Sequence, residues 1–282
     1  MNVRRMLGAV TGSALLALFA QPGSAATVDG MKINSSSVGT GPTIVFVHGW
    51  TCDASSWAAQ VPAFSKDHRV ITLDLPGHGR SESPKDGKLS MDVFARAVEA
   101  VRAEAGAGAE RIVLVGHSMG APVIRQYAHL YPERVAGLVA VDGPLDVRPF
   151  AAAELPPGFP PPLTGPEGRA ARENMIRSMF IAETPPALQD HILKMMLAAP
   201  EATAVGAMNA MFDPAIRWSD VVRAPALTVY AGTANVPDPA ATKELYPLHE
   251  ATQVKGTGHF LMMEKPDEFN RLLAGFLAKI HF

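Results

Sequence analysis

Residues 111–120, reading Arg-Ile-Val-Leu-Val-Gly-His-Ser-Met-Gly, set the organisation expected of the whole chain. A short β-branched, apolar run ends abruptly in Gly-x-Ser-x-Gly, and a helix-compatible segment over 121–130 follows at once. That strand, turn and helix order is the context in which the pentapeptide makes a nucleophile elbow. Ser118 stands on a turn so tight that neighbouring Cβ atoms would collide with it, and Gly116 and Gly120 leave that space open. Without the flanking strand and helix, the same five residues read as a Gly-rich turn with an incidental serine.

The rest of the chain repeats the alternation. Residues 43–47, 69–74 and 135–142 are nearly continuous apolar runs, the mark of strands buried on both faces. Residues 55–64 are compatible with a helix that turns Trp57 inward. A second helix is predicted over 90–105, with Ser90 as its N-cap and Val93, Phe94, Ala97 and Val101 on one face. Residues 27–37 read as a short edge strand or hairpin. Runs at 226–230 and 252–255 predict further strands, and 266–280 a last helix. Strands alternating with helices in this way predict an α/β fold with a parallel sheet covered on both faces. Reactive groups in such sheets gather at the carboxyl ends of the strands, and Trp50, Asp74, Ser118 and Asp142 all lie at or just beyond such ends.

The alternation breaks after Gly143. A rigid proline-rich stretch at 156–162 is followed by helix-like segments at 167–181, 186–199 and 201–212, rich in methionine. The methionines suit ordinary core packing; a few of them could instead line an adaptable apolar pocket. At the other end, Arg4 and Arg5, an apolar run over 6–20 and the small residues Gly23 to Ala26 have the layout of a secretory signal peptide. The run is shorter than the roughly 20 residues a spanning helix needs. The expected division is a signal peptide at 1–26, a core at 27–144 and 221–282, and an inserted helical cap at 145–220. A secreted or periplasmic mature protein with no stable membrane span follows from it. With 282 residues, 48% of them apolar, and a formal charge of −2, the chain suits one soluble α/β domain and argues against nucleic acid as a partner. Cys52 is the single cysteine, which excludes an intramolecular disulfide, and no Cys/His cluster has metal-ligand spacing.

Four motifs now stand in order: His48-Gly49-Trp50, then Asp74-x-Pro76-Gly77-His78-Gly79-x-Ser81, the elbow, and Gly256-x-Gly258-His259. Together they resemble the α/β-hydrolase superfamily, in its serine esterase and lipase-like branch with a helical cap. The resemblance implies the α/β-hydrolase fold, a mostly parallel sheet with helices on both faces. It also implies His259, in the loop after the last strand, as the base that takes the Ser118 proton. His48 and His78 would brace their Gly-rich loops, His117 would point away from the nucleophile, and the other histidines fall on surfaces or in the cap. The acid of the superfamily usually lies after the penultimate strand, where this chain reads Gly232-Thr233-Ala234-Asn235. An amide orients an imidazole but does not stabilise an imidazolium electrostatically. Asp142, at the end of the strand after the elbow, is favoured as the acid. Asp238 is the alternative, and Asn235 a possible orienting group. Backbone N–H groups of Trp50 and Met119 are the expected oxyanion donors.

The expected activity is cleavage of carboxylic esters in small, apolar substrates, through an acyl-enzyme on Ser118, with no metal or organic cofactor. Lactone hydrolysis, perhydrolysis and C–C bond hydrolysis use the same groups. A non-catalytic receptor for a small ligand is the rival from another class.

Overall fold

The computed structural model describes residues 26–146, 160–213, 216, 219–236 and 238–282. The expected signal peptide thus lies outside the described residues except for Ala26, as does most of the proline-rich stretch. β1 (Ala26–Val28) and β2 (Met31–Ile33) form a small antiparallel hairpin. The remaining strands build one sheet in the order β3-β5-β4-β6-β7-β8-β9. These are β3 (Ser35–Val38), β4 (Thr43–Val47), β5 (Arg69–Leu73), β6 (Ile112–His117), β7 (Val135–Val141), β8 (Ala226–Ala231) and β9 (His249–Val254). Only the edge strand β3 runs antiparallel to its neighbour; the others are parallel. β4 and β6 are buried along their whole length, as their unbroken apolar runs require.

Helices cover both faces. α2 (Met91–Glu104) packs on α3 (Gly120–Leu130) over one face, with Ser90 accepting a bond from Val93 N as its N-cap. On the other, α1 (Gln60–Phe64) meets α9 (Pro266–Lys279), and Phe46 from the sheet packs against Trp57, which also touches Phe269. The single helix expected over 55–64 is two pieces, a 3-10 turn (Ala54–Trp57) and then α1. Trp57 is fully buried as expected.

Between β7 and β8 the chain forms α4 (Gly165–Arg177), α5 (Pro186–Leu197) and α6 (Glu201–Met211). These helices sit over the carboxyl ends of the strands. Thr203 donates to Gly77 O at 2.8 Å, and the Trp50 indole donates to Ala204 O at 2.8 Å. Three further elements depart from expectation. β9 begins three residues before the strand expected at 252, because this largely exposed edge strand carries polar residues such as Glu250 and Gln253 and has no apolar run to mark its start. The loop after β8 continues into α7 (Pro239–Leu245), and the short α8 (Leu261–Glu264) precedes α9. No helix among the described residues is long and apolar enough to cross a membrane.

Candidate active site

The turn after β6 is strained, and its neighbours explain why the strain persists. Ser118 holds φ +52°, a left-handed conformation that costs a non-glycine residue about 1 kcal/mol or more. A Cβ on Gly116 would lie 2.3 Å from Gly120 O, and one on Gly120 would lie 2.4 Å from Val47 O. Both glycines are therefore steric requirements of the turn. Ser118 N donates to Val141 O at 2.9 Å, which ties the turn to the end of β7.

Asp142 ends β7 as Ser118 ends β6. The parallel register pairs His117 with Val141, so the next residues, Ser118 and Asp142, emerge side by side. Asp142 is likewise left-handed, at φ +44°. Its Oδ1 accepts Ala231 N at 2.8 Å and its Oδ2 lies 2.6 Å from His259 Nδ1. Burial pushes this carboxyl up, but the His259 bond and charge, helped by Ala231 N–H, outweigh it and hold the group below the usual carboxylate range. A carboxylate only accepts, so Nδ1 carries the hydrogen and the lone pair of His259 is on Nε2.

His259 and Ser118 face the same narrow cavity of about 10 Å³, room for about one water, walled by Trp50, Cys52, Met179, Met196 and Phe260. Among the described residues, no protein acceptor meets the backbone N–H groups of Trp50 and Met119. The Trp50 indole is committed to Ala204 O, so that side chain both walls the cavity and fastens the loop to α6. Cys52 is fully enclosed and burial pushes its thiol up to about 12, which disqualifies it as a nucleophile at neutral pH.

The other candidates fall elsewhere. Asp238 is the N-cap of α7, its Oδ1 accepting Ala240 N at 2.9 Å. Asn235 is exposed and borders a separate cavity of about 290 Å³ that Asp142, Leu145 and Tyr230 also line; no bond joins it to His259 among the described residues. Asp74 also misses the cavity. It accepts from Asn34 Nδ2, Ala54 N and Arg80 N, tying together the loops after β4 and β5. His249, expected on a surface, is buried against Thr228, with 2.9 Å between Nε2 and Oγ1.

Three buried histidines support the loops around the site, His48 and His78 as a pair and His117 separately. His48 Nε2 accepts Leu75 N at 2.9 Å and its ring lies 5.1 Å from that of His78. His117 turns away from Ser118, and its Nε2–H donates to His259 O at 2.9 Å. Nothing in the Gly-x-Ser-x-Gly spacing announces that link. Burial first, then neighbouring imidazoles for His78 and His117, lowers these groups: to about 4 for His48, and to about 3 for His78 and His117. Each is neutral when folded and returns to the ordinary histidine value of 6.5 on unfolding, so below pH 6.5 the unfolded chain binds more protons. Stability is therefore fully present above that value and falls with pH, by about 1.4 kcal/mol per unit for each histidine, levelling off near the folded values. The expected result is a urea midpoint, followed by tryptophan fluorescence, that drops steeply between pH 6.5 and 4.5. A flat midpoint over that range contradicts the assignment.

With this geometry in hand, comparison with known proteins is informative. A family model described as the alpha/beta hydrolase fold matches residues 42–196. The chain belongs to the α/β-hydrolase family. That match spans β4 through the elbow to α5. A Haemophilus influenzae protein provisionally named an esterase/lipase is 25% identical over 251 residues, which covers 84% of each chain. A pimeloyl-[acyl-carrier protein] methyl ester esterase of Aeromonas hydrophila is 33% identical over 111 residues, 39% of this chain and 41% of that one. Among solved structures, one described as an N-acyl homoserine lactone degrading enzyme superposes with a TM-score of 0.74 at 25% identity, covering 90% of this chain and 100% of that one. The family hosts many reactions on one fold, so the reaction has to be argued from the site.

Proposed function

We propose that this α/β-hydrolase is a serine hydrolase that cleaves carboxylic esters through an acyl-enzyme. The observation that carries the reading is the 2.6 Å contact of His259 with Asp142, made by a histidine that shares one cavity with Ser118. Ser118 Oγ attacks the ester carbonyl while His259 Nε2 takes its proton. The oxyanion so formed accepts from the N–H groups of Trp50 and Met119, each worth about 3 kcal/mol by precedent. Asp142 balances the imidazolium. The proton then passes to the departing alkoxide, which leaves as alcohol. Water, deprotonated by the same nitrogen, attacks the acyl-enzyme and releases the acid with Ser118 restored.

The esterase relatives favour this reading over a non-catalytic receptor, and lactones, as cyclic esters, open by the same steps. Helices α4 to α6 are proposed to act as a cap over the site, and the N-terminal residues 1–26 support export to the periplasm or beyond.

A fluorophosphonate probe tests the mechanism directly: labelling of wild type that vanishes in Ser118→Ala is expected, and its absence from wild type sinks the enzyme reading. Substrate size follows from the walls of the cavity. With Met179, Met196 and Trp50 walling the space beside Ser118, the smaller acyl group is expected to be favoured, p-nitrophenyl acetate being turned over faster than the octanoate by about tenfold or more. Met196→Ala removes a wall and should raise kcat/KM for longer acyl chains relative to acetate. A chain-length profile that Met196→Ala leaves unchanged would show that this cavity does not receive the acyl group.

A further inference from the structure

The loop that carries His259 is fixed to the inserted helices by contacts that its part in proton transfer does not require. His259 N donates to Met179 O at 3.1 Å, just beyond α4. One residue earlier, Gly258 N donates to Glu264 Oε2 at 2.6 Å. The other oxygen of that carboxylate accepts from Thr184 Oγ1 at 2.8 Å, and Thr184 Oγ1 in turn accepts Ile181 N at 3.1 Å. Thr184 is buried and lies between α4 and α5, its carbonyl held by Gln189 Nε2. Space is as tight as the bonding: a Cβ on Gly258 would lie 2.6 Å from Met179 O and 3.1 Å from Glu264 Oε1. His117 completes the grip from the elbow side through His259 O.

From these contacts we infer that Glu264 and Thr184 are positioning residues for His259, and that the segment joining α4 to α5 belongs to the catalytic frame. The inference rests on His259 being the base. Glu264 bridges the residue before His259 to the inserted segment, with one carboxyl oxygen bonded on each side. His259 is thereby suspended between the elbow, through His117, and the segment at 179–184. The Asp142 contact sets the tilt of the ring, and this suspension sets where the ring stands. Misplacement of a catalytic group by about 1 Å can cost about a hundredfold in rate. A change at Glu264 should therefore appear in kcat, although Glu264 touches neither Ser118 nor the cavity.

The test uses the full-length protein with a p-nitrophenyl ester found to be turned over by wild type. Glu264→Leu removes both acceptors and is expected to lower kcat by about tenfold or more with KM held within about twofold, the pattern of a lost transition-state interaction. Glu264→Gln keeps an acceptor for Gly258 N and a partner for Thr184, and is expected to retain kcat within about threefold. Thr184→Val should lower kcat by a few-fold. Added to Glu264→Leu it should cost nothing further, because both changes cut one link and are not additive. Rates are read well below each variant's Tm, so a loss of stability alone leaves them unmoved.

Glu264→Leu with kcat within about twofold of wild type, or with its loss confined to KM, would overturn the inference. Should Glu264→Leu not fold, an unchanged kcat in Thr184→Val overturns it equally. Fluorophosphonate labelling of wild type and Ser118→Ala runs beside these assays. Absent Ser118-dependent labelling removes the hydrolase reading and this inference together, whereas labelling with unmoved variants removes the inference alone.

Discussion

Ser118→Ala is expected to lower kcat on a p-nitrophenyl ester by about a million-fold, the loss seen when the nucleophile is removed from a Ser-His-acid group. The size of the effect follows from what alanine lacks. Without Oγ no acyl-enzyme forms, and His259 and Asp142 are left with no proton to move. What survives is binding and the oxyanion donors, which alone keep a rate about a thousandfold or more above water. The backbone does not confound the measurement. Serine already holds φ +52° with its neighbours packed around it, and alanine meets the same conformational cost, so Tm should hold within a few degrees. Active-site titration of wild type with the probe sets the scale, because a trace of wild type would mask so large a loss. Residual activity within a hundredfold of wild type would mean that another group starts the reaction.

The fold was legible to the degree that burial on both faces writes itself into sequence. β4, β6 and β7 are apolar apart from Thr43 and His117 at strand ends, and their runs predicted strands almost residue for residue. β9 was half hidden because this edge strand is exposed over most of its length and needs no apolar run, and α7 was hidden because prolines on either side of Asp238 give no helical periodicity. In fact Asp238 caps that helix, with a proline in its first turn where the missing N–H costs nothing. At the site, Ser118 and His259 were readable from Gly-flanked motifs. For the acid, strand-end position favours Asp142 over Asp238, but which loop turns toward His259 is a tertiary property that no local pattern carries. The supports were not readable at all. His117 and Met179 bond backbone groups of His259 across 142 and 80 residues of sequence, and Thr184 reaches the Glu264 carboxylate across 80; Glu264 stands only 6 residues from Gly258, but nothing in that short spacing shows its carboxylate turning back onto the loop.

One arrangement links these observations. The residue at the end of β6 and the residue at the end of β7 both flip to a left-handed conformation, and each is held by the strand beside it. Ser118 N donates to Val141 O, and Asp142 N donates to Val229 O, both at 2.9 Å. The sheet hydrogen bonds thus run on for one residue beyond the strands and position both side chains. On the proposed assignment the acid comes from the end of β7, and the loop after β8 is free of that task. Ala234 and Asn235 instead line a cavity that the acid borders.

Asp142→Asn is accordingly expected to lower kcat by about ten-thousand-fold, against a change within about twofold for Asp238→Asn. The two substitutions are the same chemical step, a carboxylate to an amide of equal size, so their difference isolates position. At 142 the amide oxygen can still accept Ala231 N, which leaves its NH₂ facing His259 Nδ1. Two donors cannot share that 2.6 Å contact. The imidazole must then carry its hydrogen on Nε2, the nitrogen that should accept the Ser118 proton, and the imidazolium loses its counter-charge. Asparagine tolerates the left-handed backbone at φ +44° as well as aspartate does, so folding is not the cause of the loss. At 238 the side chain accepts Ala240 N at the start of α7, and asparagine caps a helix about as well as aspartate. Steady-state kinetics on both variants, with Tm measured alongside, decides the matter. Equal and mild losses would remove Asp142 from the reaction and turn attention to Asn235, whereas a large loss only at 238 would mean that the loop before α7 swings toward His259 during turnover.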